Sequence, residues 1–372
     1  MDHVGAEQKV QAVVLAAGVG KRLLPLTTVT PKSLLPIANK PLIDYALESI
    51  QRAGIRDILV VTGYMSSQTA NYIETSKKTF PVKITCVNAE RYREGPLYSL
   101  LAAEKSVTDD FLLVPADLIL DDWILSHLVA SHTEKDLIHV ATSALCPRTR
   151  RTVLLCCKGS EQDNNRILRF LPAGAPYAEL QWKPEFQTLV SIGAAVCPTK
   201  LFEYLHLASE KGAQRVVDAL SEYAARTGLG RCLTISSQHY WFDIDTVNDM
   251  LEANNFILRK RYVDSGKQYN FFFDKETSLP VRVRANSHQS QPAKIIGPTV
   301  IGERCKIGEN SIIGPYVSIQ NRCVIGKHAR ISNSIILNES LVDDSAIIDR
   351  AVVCRKETLR AEKPGRDVEN GQ

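Results

Sequence analysis

A six-residue hydrophobic period in the C-terminal part of this 372-residue chain constrains its fold more strongly than any other feature. Branched aliphatic residues recur at every sixth position: Ile301, Ile307, Ile313, Ile319, Ile325, Ile331 and Leu337. A helix repeats every 3.6 residues and a half-buried strand every two, so neither produces this spacing, whereas a solenoid of short strands does. The period therefore predicts a β-solenoid. Because position 343 is aspartate and the register is lost after Leu337, we expect only three or four coils.

The region before the solenoid alternates short β-branched runs with helical patterns. Strands are expected at 12–16, 57–62, 82–87 and 111–114. The spacing of Ile43, Ala46, Leu47 and Ile50 predicts a helix between the first two strands, and Gly54 can end that helix. Such alternation is typical of a doubly wound, Rossmann-like α/β domain with a mainly parallel sheet. We expect this domain at 9–262, a connector at 263–292, the solenoid at 293–354 and a flexible tail at 355–372.

The composition of the chain argues against several classes of protein. The net charge is only +4 and the 45 lysines and arginines are scattered, unlike the basic stripe of a nucleic-acid-binding protein. No apolar run approaches the roughly eighteen residues of a membrane span, and the N-terminus lacks a secretory apolar region. The nine cysteines include no C-x-x-C pair, which favours reduced thiols without a zinc site. We therefore expect a cytoplasmic protein with neither nucleic acid nor a membrane as its partner.

The segment after the first expected strand has the features of a phosphate-binding loop. Gly18 and Gly20 let backbone N–H groups approach an anion closely. Arg22 adds a planar fork of donors for phosphate oxygens, and Lys32 adds a compact positive charge. The dinucleotide fingerprint would need a small residue where Leu23 stands, and no P-loop string occurs here. We expect a different phosphate site, with these nucleotide-binding residues: Leu15, Ala16, Ala17, Gly18 and Gly20.

The strings G-x-G-x-R, P-K-x-L-L-P and K-P follow one another between residues 18 and 41. In this order they resemble the signature of the NDP-sugar pyrophosphorylases, the sugar-1-phosphate nucleotidyltransferases. The six-residue period is similar to the hexapeptide repeats of left-handed parallel β-helices. The resemblance implies a nucleotidyltransferase domain followed by a short left-handed β-helix. It implies an enzyme that converts an NTP and a sugar-1-phosphate into an NDP-sugar and pyrophosphate. Arg22 would then bind the β- and γ-phosphates, and Lys32 the α-phosphate or the acceptor phosphate.

Two aspartates match the positions at which this family binds its Mg²⁺ cofactor. Asp117 follows the apolar run 111–116, and Asp243 lies in the segment Y-W-F-D-I-D-T at 240–246. The resemblance implies that both are metal ligands, and that Asp117 also contacts the substrate. Asp245 stands where the family has a small residue. We favour a role for Asp245 in capping the helix expected from Val247, while metal binding by Asp245 stays open.

The nucleotide-base and acceptor sides depart from the family pattern. Glu90 replaces the family's glutamine, Gly95 matches a glycine that contacts the base, and Gly193 matches a glycine on the acceptor side. The resemblance thus implies nucleotide binding by Glu90 and Gly95 and substrate binding by Gly193. Pro96 and Leu97 replace small residues of the same motif.

These departures leave two further functions open. The strings N-x-x-x-Y, Y-S-L and D-x-D-T are similar to cytidylyltransferases that act on inositol, alditol or choline phosphates. A non-catalytic, pyrophosphorylase-like regulatory subunit of the translation initiation exchange-factor type is the other alternative, although the retained site residues argue against it. For all three functions, we expect the β-helix to hold subunits together in a homo-oligomer, because its stacked coils leave edges that a neighbour can cover.

Overall fold

The computed structural model describes residues 10–77, 79–132, 136–144, 152–157, 165–171, 186–264, 271–273, 280–283, 287–289 and 293–361. The chain forms two compact units. The first unit comprises Met1–Gly20, Val29–Leu34 and Leu42–Asp243, and the second comprises Lys21–Thr28, Leu35–Pro41 and Ile244–Gln372.

The described helices are α1 (Leu42–Arg52), α2 (Ser66–Ser76), α3 (Pro96–Leu101), α4 (Asp122–Ala130), α5 (Leu201–Glu210), α6 (Val216–Thr227) and α7 (Val247–Asp264). The strands before α7 are β1 (Gln11–Ala16), β2 (Pro36–Ile37), β3 (Lys40–Pro41), β4 (Asp57–Thr62), β5 (Lys83–Asn88), β6 (Phe111–Pro115), β7 (Leu118–Leu120), β8 (Ile138–Ala144), β9 (Val153–Cys157), β10 (Ile167–Leu171), β11 (Phe186–Cys197), β12 (Gly230–Thr234) and β13 (Trp241–Asp243). The four strands expected before residue 115 are all present, with ends that differ from the prediction by at most one residue.

The strands after α7 are β14 (Phe271–Phe273), β15 (Pro280–Val283), β16 (His288–Gln289), β17 (Lys294–Ile295), β18 (Thr299–Ile301), β19 (Lys306–Ile307), β20 (Ile312–Ile313), β21 (Val317–Ile319), β22 (Val324–Ile325), β23 (Arg330–Ser332), β24 (Ile335–Ile336), β25 (Leu341–Val342), β26 (Ile347–Asp349), β27 (Ala351–Cys354) and β28 (Glu357–Arg360). Short 3₁₀ turns lie at Lys21–Leu23, Leu26–Thr28, Lys32–Leu34, Tyr92–Glu94 and Glu104–Ser106.

A nine-stranded sheet forms the centre of the first unit. Its strands follow the order β10-β9-β11-β6-β1-β4-β5, and β8 pairs with β11 and β12. β1 runs parallel to both of its neighbours, β4 and β6, whereas β11 runs antiparallel to β6. The sheet is therefore parallel on one side of β6 and mixed on the other, which confirms the predicted Rossmann-like α/β fold class.

The central strand β1 is buried on both faces. Val13 packs with Val61 and Leu113 on one face, whereas Ala12 and Val14 pack in a separate core on the other. Successive side chains of a strand point to opposite faces, so a strand covered on both sides is apolar at nearly every position. The second core also receives one face of α1, through Ile43, Ala46, Leu47 and Ile50.

Three parallel sheets build the β-helix of the second unit. The first sheet contains β15, β18, β21, β24 and β27, the second contains β16, β19, β22 and β25, and the third contains β17, β20, β23 and β26. Thr299 pairs in parallel with Val317, an offset of one 18-residue coil. The predicted isoleucine column from Ile301 to Ile331 fills the interior, together with small residues such as Cys305 and Ala329. The expected left-handed β-helix class is confirmed.

The loss of register after Leu337 comes from a shorter coil, and the β-helix continues beyond it. Ile313 pairs with Ile331 at an offset of 18 residues, but Ile319 pairs with Ile336 at an offset of 17. The corner after Ile331 thus has one residue fewer than the corner after Ile313. Ile336, one residue before the last member of the six-residue period, therefore occupies the inward column in this coil. The column then continues through Val342, Ile348 and Val353.

The ranges expected as connector and flexible tail both contain strands. The predicted connector includes β14, β15 and β16, and β15 and β16 pair in parallel with the next coil of the β-helix. The predicted flexible tail includes β28, which pairs antiparallel with β27 and covers one end of its sheet. The expectation of a flexible tail therefore does not hold at β28, whereas the connector was expected only as a link between the domains, and its strands contradict no prediction.

The described residues also bear on the expected membrane segments and cysteine states. None of the described helices combines the length and the apolar character that crossing a membrane requires. The eight cysteines within the described part of the chain are unbridged thiols.

Candidate active site

A cavity of about 240 Å³ lies in the first unit at the carboxyl ends of β1 and β6. We call it the β1 cavity. Four stretches of chain line it: residues 15–18, Lys32 with Ser33, residues 115–117, and three residues around the start of α3. In a doubly wound sheet, ligands bind beyond the carboxyl ends of the strands, and this cavity occupies that place.

The loop after β1 forms one wall of the cavity. The structure places Leu15, Ala16, Ala17 and Gly18 in this wall. A Cβ atom added to Gly18 would meet no heavy atom within 4 Å, so the glycine faces open space. Gly20 lies outside the wall and has φ +68°, a conformation that glycine adopts without strain. The first glycine thus leaves room beside the backbone, while the second shapes the loop.

Lys32 and Asp117 form an ion pair in the same cavity. The Lys32 Nζ atom donates to Asp117 Oδ2, and the two side chains are 12% and 24% exposed. Lys32 opens a short 3₁₀ turn, and Asp117 stands just beyond the end of β6. The pair therefore places one positive and one negative group in the cavity wall.

The pairing of β7 with β13 brings a second carboxylate to Asp117. Leu118 lies opposite Asp243 in this antiparallel pair, so the residue before β7 and the last residue of β13 are neighbours. Carboxylate oxygens of Asp117 and Asp243 lie within 4.8 Å of each other. Two carboxylates at this separation suit Mg²⁺, which takes one or two protein carboxylates and completes its shell with phosphate oxygens and water. The donor set therefore fits the cofactor that the sequence predicts.

Arg22 and Asp245 belong to the second unit and pair with each other. Their closest N–O distance is 2.6 Å, with side chains 54% and 24% exposed. Asp245 is not the helix cap. The Asp249 N–H group donates to Thr246 Oγ1 over 3.3 Å, and the Thr246 N–H group donates to Asp249 Oδ2 over 2.6 Å. This reciprocal pair caps α7, so the favoured capping role of Asp245 was wrong.

The residues predicted to bind the base lie outside the cavity wall. Glu90 is exposed. Gly95 has φ +131°, and a Cβ atom there would lie 2.8 Å from the Cβ atom of Gln214, so this position admits only glycine without strain. Gly95 instead lets the chain pass closely over Gln214, whose carbonyl accepts the N–H group of Leu97 over 3.0 Å.

Residues without a role predicted from the sequence complete the cavity wall: Ser33, Tyr92, Pro96, Ser99, Pro115 and Ala116. Pro96 is the first residue of α3, and Ser99 follows it by three positions. Residues three apart share one face of a helix, so Pro96 and Ser99 reach the same cavity, but no local pattern in the sequence predicts that this face lines it.

Gly193 lies in β11, outside the wall of the β1 cavity. Its φ is +96°, and the pairing of β11 with β8 shifts register between Ser191 and Ala195. The Gly193 N–H group donates to Ser191 Oγ over 3.2 Å. The glycine therefore accommodates a bulge in the strand, and the structure does not bring it together with Lys32 and Asp117 in this cavity.

Comparisons with known proteins agree with this fold. Residues 11–260 match the family described as Nucleotidyl transferase, and residues 295–363 match the GMPPB C-terminal domain. The chain therefore belongs to the nucleotidyl transferase family. This membership confirms the family and the class of enzyme expected from the signature at residues 18–41.

Two curated relatives are similar over nearly the whole chain. A bifunctional sugar-1-phosphate nucleotidylyltransferase/acetyltransferase of Sulfurisphaera tokodaii is 26% identical over 347 residues, covering 92% of this chain and 79% of that protein. A glucose-1-phosphate thymidylyltransferase of Streptomyces griseus is 25% identical over 371 residues, covering 96% and 93%. A crystal structure of UDP-glucose pyrophosphorylase complexed with UDP-glucose matches 68% of this chain and 99% of its own, with a TM-score of 0.57 and 22% identity. That structural likeness supports the fold.

Proposed function

We propose that this protein is a Mg²⁺-dependent nucleotidyltransferase that converts an NTP and a sugar-1-phosphate into an NDP-sugar and pyrophosphate. The observation that carries the proposal is the Lys32–Asp117 pair in the β1 cavity, with the Asp243 carboxylate beside it. Both curated relatives are named for a sugar-1-phosphate substrate, which supports the same acceptor class here.

The reaction needs positioning and charge stabilisation more than it needs a protein nucleophile. An oxygen of the acceptor phosphate attacks the α-phosphorus of the NTP, the bond from that phosphorus to the bridging oxygen breaks, and pyrophosphate leaves. Backbone N–H groups of the loop at Gly18 would hold the triphosphate. Lys32 would bind the α-phosphate or the acceptor phosphate. Arg22 would bind the β- and γ-phosphates, exchanging its contact with Asp245 for phosphate oxygens.

Asp117 and Asp243 would hold the Mg²⁺ ion, and Asp117 would also contact the substrate. When bound, the ion neutralises part of the phosphate charge. The remaining predicted contacts belong to the same proposal. Gly20 would support the phosphate loop, Glu90 and Gly95 would act on the nucleotide side, and Gly193 on the acceptor side. None of these four residues lines the β1 cavity.

A cytidylyltransferase acting on an inositol, alditol or choline phosphate is a second candidate. It is favoured by D-x-D-T at 243–246 and by Y-S-L at 98–100, where the chain departs from the sugar-phosphate pattern. Both candidates use the same phosphate chemistry and differ in the base and the acceptor.

Pyrophosphate release with Mg²⁺, measured for each of the common NTPs against sugar-1-phosphates and polyol phosphates, tests these proposals. Release with a sugar-1-phosphate supports the first proposal, and release only with CTP and a polyol or choline phosphate supports the second. No release with any pair would refute both and favour the non-catalytic regulatory subunit. With the active pair, Arg22→Ala and Asp117→Ala should each lower turnover by roughly a hundredfold or more.

We further propose that the β-helix joins copies of the chain into a homo-oligomer, in the cytoplasm as the unbridged cysteines favour. Val324 and Leu341 support this idea, because they pair across neighbouring strands and remain 39% and 37% exposed. Light scattering after size-exclusion chromatography should give a multiple of the 41.3 kDa chain mass. A monomeric wild-type protein would contradict the proposal, whereas dissociation of a Val324→Lys, Leu341→Lys double variant would support it.

A further inference from the structure

The strand that carries Asp243 is short, and its own pairing does little to fix its register. Among the described strands β13 pairs with β7 alone, through three residue pairs, in a two-stranded ribbon separate from the main sheet. β7 is anchored, because Leu118 and Leu120 are buried in the same core as one face of α1. A slip of β13 by one residue would turn Asp243 to the opposite face of the ribbon, away from Asp117. The register of β13 therefore depends on contacts beyond these three pairs.

Hydrogen bonds join the segment before β13 to the start of α4. The Asp121 N–H group donates to the Tyr240 carbonyl over 2.9 Å, which extends the strand pairing by one residue. The His239 Nδ1 atom donates to Asp121 Oδ1 over 3.2 Å, because a carboxylate can only accept. The same oxygen accepts the Trp123 N–H group over 3.1 Å and thereby caps α4. Asp121 thus connects the chain before β13 with the first turn of this helix.

An aromatic stack strengthens the same junction. The imidazole of His239 lies on the indole of Trp123, with ring centroids 4.2 Å apart and an angle of 7° between the ring planes. Stacked aromatic pairs contribute free energy beyond the area that they bury. His127, four residues after Trp123, stacks on the same indole with centroids 4.3 Å apart, but both of these residues belong to α4. Of the two stacks, the one with His239 ties α4 to the segment before β13.

We propose that His239 is a positioning residue for the metal site, and that it fixes the register of β13 through its contacts with Trp123 and Asp121. This inference rests on the proposed function, in which Asp117 and Asp243 hold Mg²⁺. In the fixed register, carboxylate oxygens of these two residues lie within 4.8 Å of each other. Without the junction, only the fraction of molecules in the correct register would bind the ion, and its apparent affinity would fall in proportion.

Binding of Mn²⁺ to the full chain, measured by electron paramagnetic resonance without substrates, tests the proposal. Mn²⁺ accepts the same oxygen ligands as Mg²⁺, and the site to be followed is the one that Asp117→Asn removes. His239→Ala deletes the stack and the hydrogen bond, so it should weaken Mn²⁺ binding about tenfold, as substitutions behind metal ligands do. His239→Phe keeps a ring for the stack and should weaken binding only about threefold. His127→Ala is the matched control, because it removes a stack within α4, and it should bind Mn²⁺ within about twofold of the wild type.

Amide hydrogen exchange separates a loss of register from a general loss of stability. In His239→Ala the amides of β13 should exchange about tenfold faster, whereas those of β1 should keep their wild-type rates. A protein that is destabilised as a whole would exchange faster in both strands. Ile319→Ala, whose side chain is buried inside the β-helix, is the control for lost stability, and its Mn²⁺ affinity should equal that of the wild type.

The proposal is overturned if His239→Ala binds Mn²⁺ as tightly as the wild type, if His127→Ala loses as much affinity, or if exchange accelerates equally in β1 and β13. A wild type that binds no Mn²⁺ refutes it together with the metal site of the proposed function. If Mn²⁺ binding depends on His239 as expected, but no pair of NTP and acceptor releases pyrophosphate, the proposed function fails and the positioning role stands.

Discussion

Substitution of Lys32 by methionine removes one charge from the β1 cavity while keeping an unbranched side chain. The Lys32 side chain is 12% exposed and its partner Asp117 is 24% exposed, so the charge acts in a partly buried setting. At an effective dielectric constant of about 20, two unit charges about 4 Å apart interact by about 4 kcal/mol. If Lys32 stabilises the transition state by an interaction of that size with phosphate, its removal corresponds to a factor of about 10³ in rate. Because water still reaches Asp117, we expect kcat/KM to fall by about 10² to 10³.

The assay is steady-state pyrophosphate release with the most active NTP and acceptor. Lys83→Met is the matched control, because Lys83 is 70% exposed and pairs with Asp57 at 3.0 Å on the surface. That variant should keep wild-type kinetics, since exposed ion pairs contribute little. Thermal unfolding checks that Lys32→Met remains folded. A folded Lys32→Met variant with kcat/KM within about threefold of the wild type would refute the assignment of Lys32 to phosphate binding.

Three further predictions concern stability, each measured as the free energy of unfolding in urea. Gly95→Ala places a Cβ atom at φ +131° against Gln214, so it should lower this free energy by about 1–3 kcal/mol, and an unchanged value would refute the strain. Burial lowers the pKa of His139 to about 4, so the unfolded chain binds a proton that the folded chain does not between that value and 6.5. The wild type should therefore lose up to about 3 kcal/mol as the pH falls from 6.5 to 4, and His139→Leu should show a flatter slope. An equal slope in both proteins would contradict this cause. Ile319→Ala, in the fully buried β-helix column, should cost about 2–5 kcal/mol, whereas the 68% exposed Ile347→Ala should cost under about 0.5 kcal/mol. Equal effects would contradict the inward column.

Most of the fold could be predicted because the strand and helix patterns and the six-residue period each arise from one kind of secondary structure. β4 was expected at 57–62 and occupies Asp57–Thr62. The six-residue period located the β-helix. The shorter coil could not be predicted, because it contains three consecutive aliphatic residues, Ile335, Ile336 and Leu337. Three consecutive aliphatic residues satisfy either register, so only strand pairing shows that Ile336 points inward. In the range of the expected connector, β16 has only two residues, both polar, and so short a strand leaves almost no pattern in the sequence.

Some residues of the site can be predicted from local sequence patterns, and others only from packing between distant segments. Gly18, Lys32 and Asp117 were found because each follows a recognisable strand or string. Tyr92 and Ser99 join them only through packing between segments distant in sequence, which no local pattern reports. The cap of α7 is different, because T-x-x-D at 246–249 is a local pattern that predicts a capping box at Thr246 and Asp249.

The most direct test of the central claim is the release of pyrophosphate from an NTP and a sugar-1-phosphate by the purified full-length chain, with the product followed by phosphorus NMR. We predict that the wild type forms an NDP-sugar and pyrophosphate in equal amounts, that a chelator abolishes the reaction, and that Mg²⁺ restores it. Asp117→Asn and Asp243→Asn should each slow the reaction by about a hundredfold or more. Undiminished turnover in both variants, or in the presence of the chelator, would contradict a metal-dependent nucleotidyl transfer at Lys32, Asp117 and Asp243.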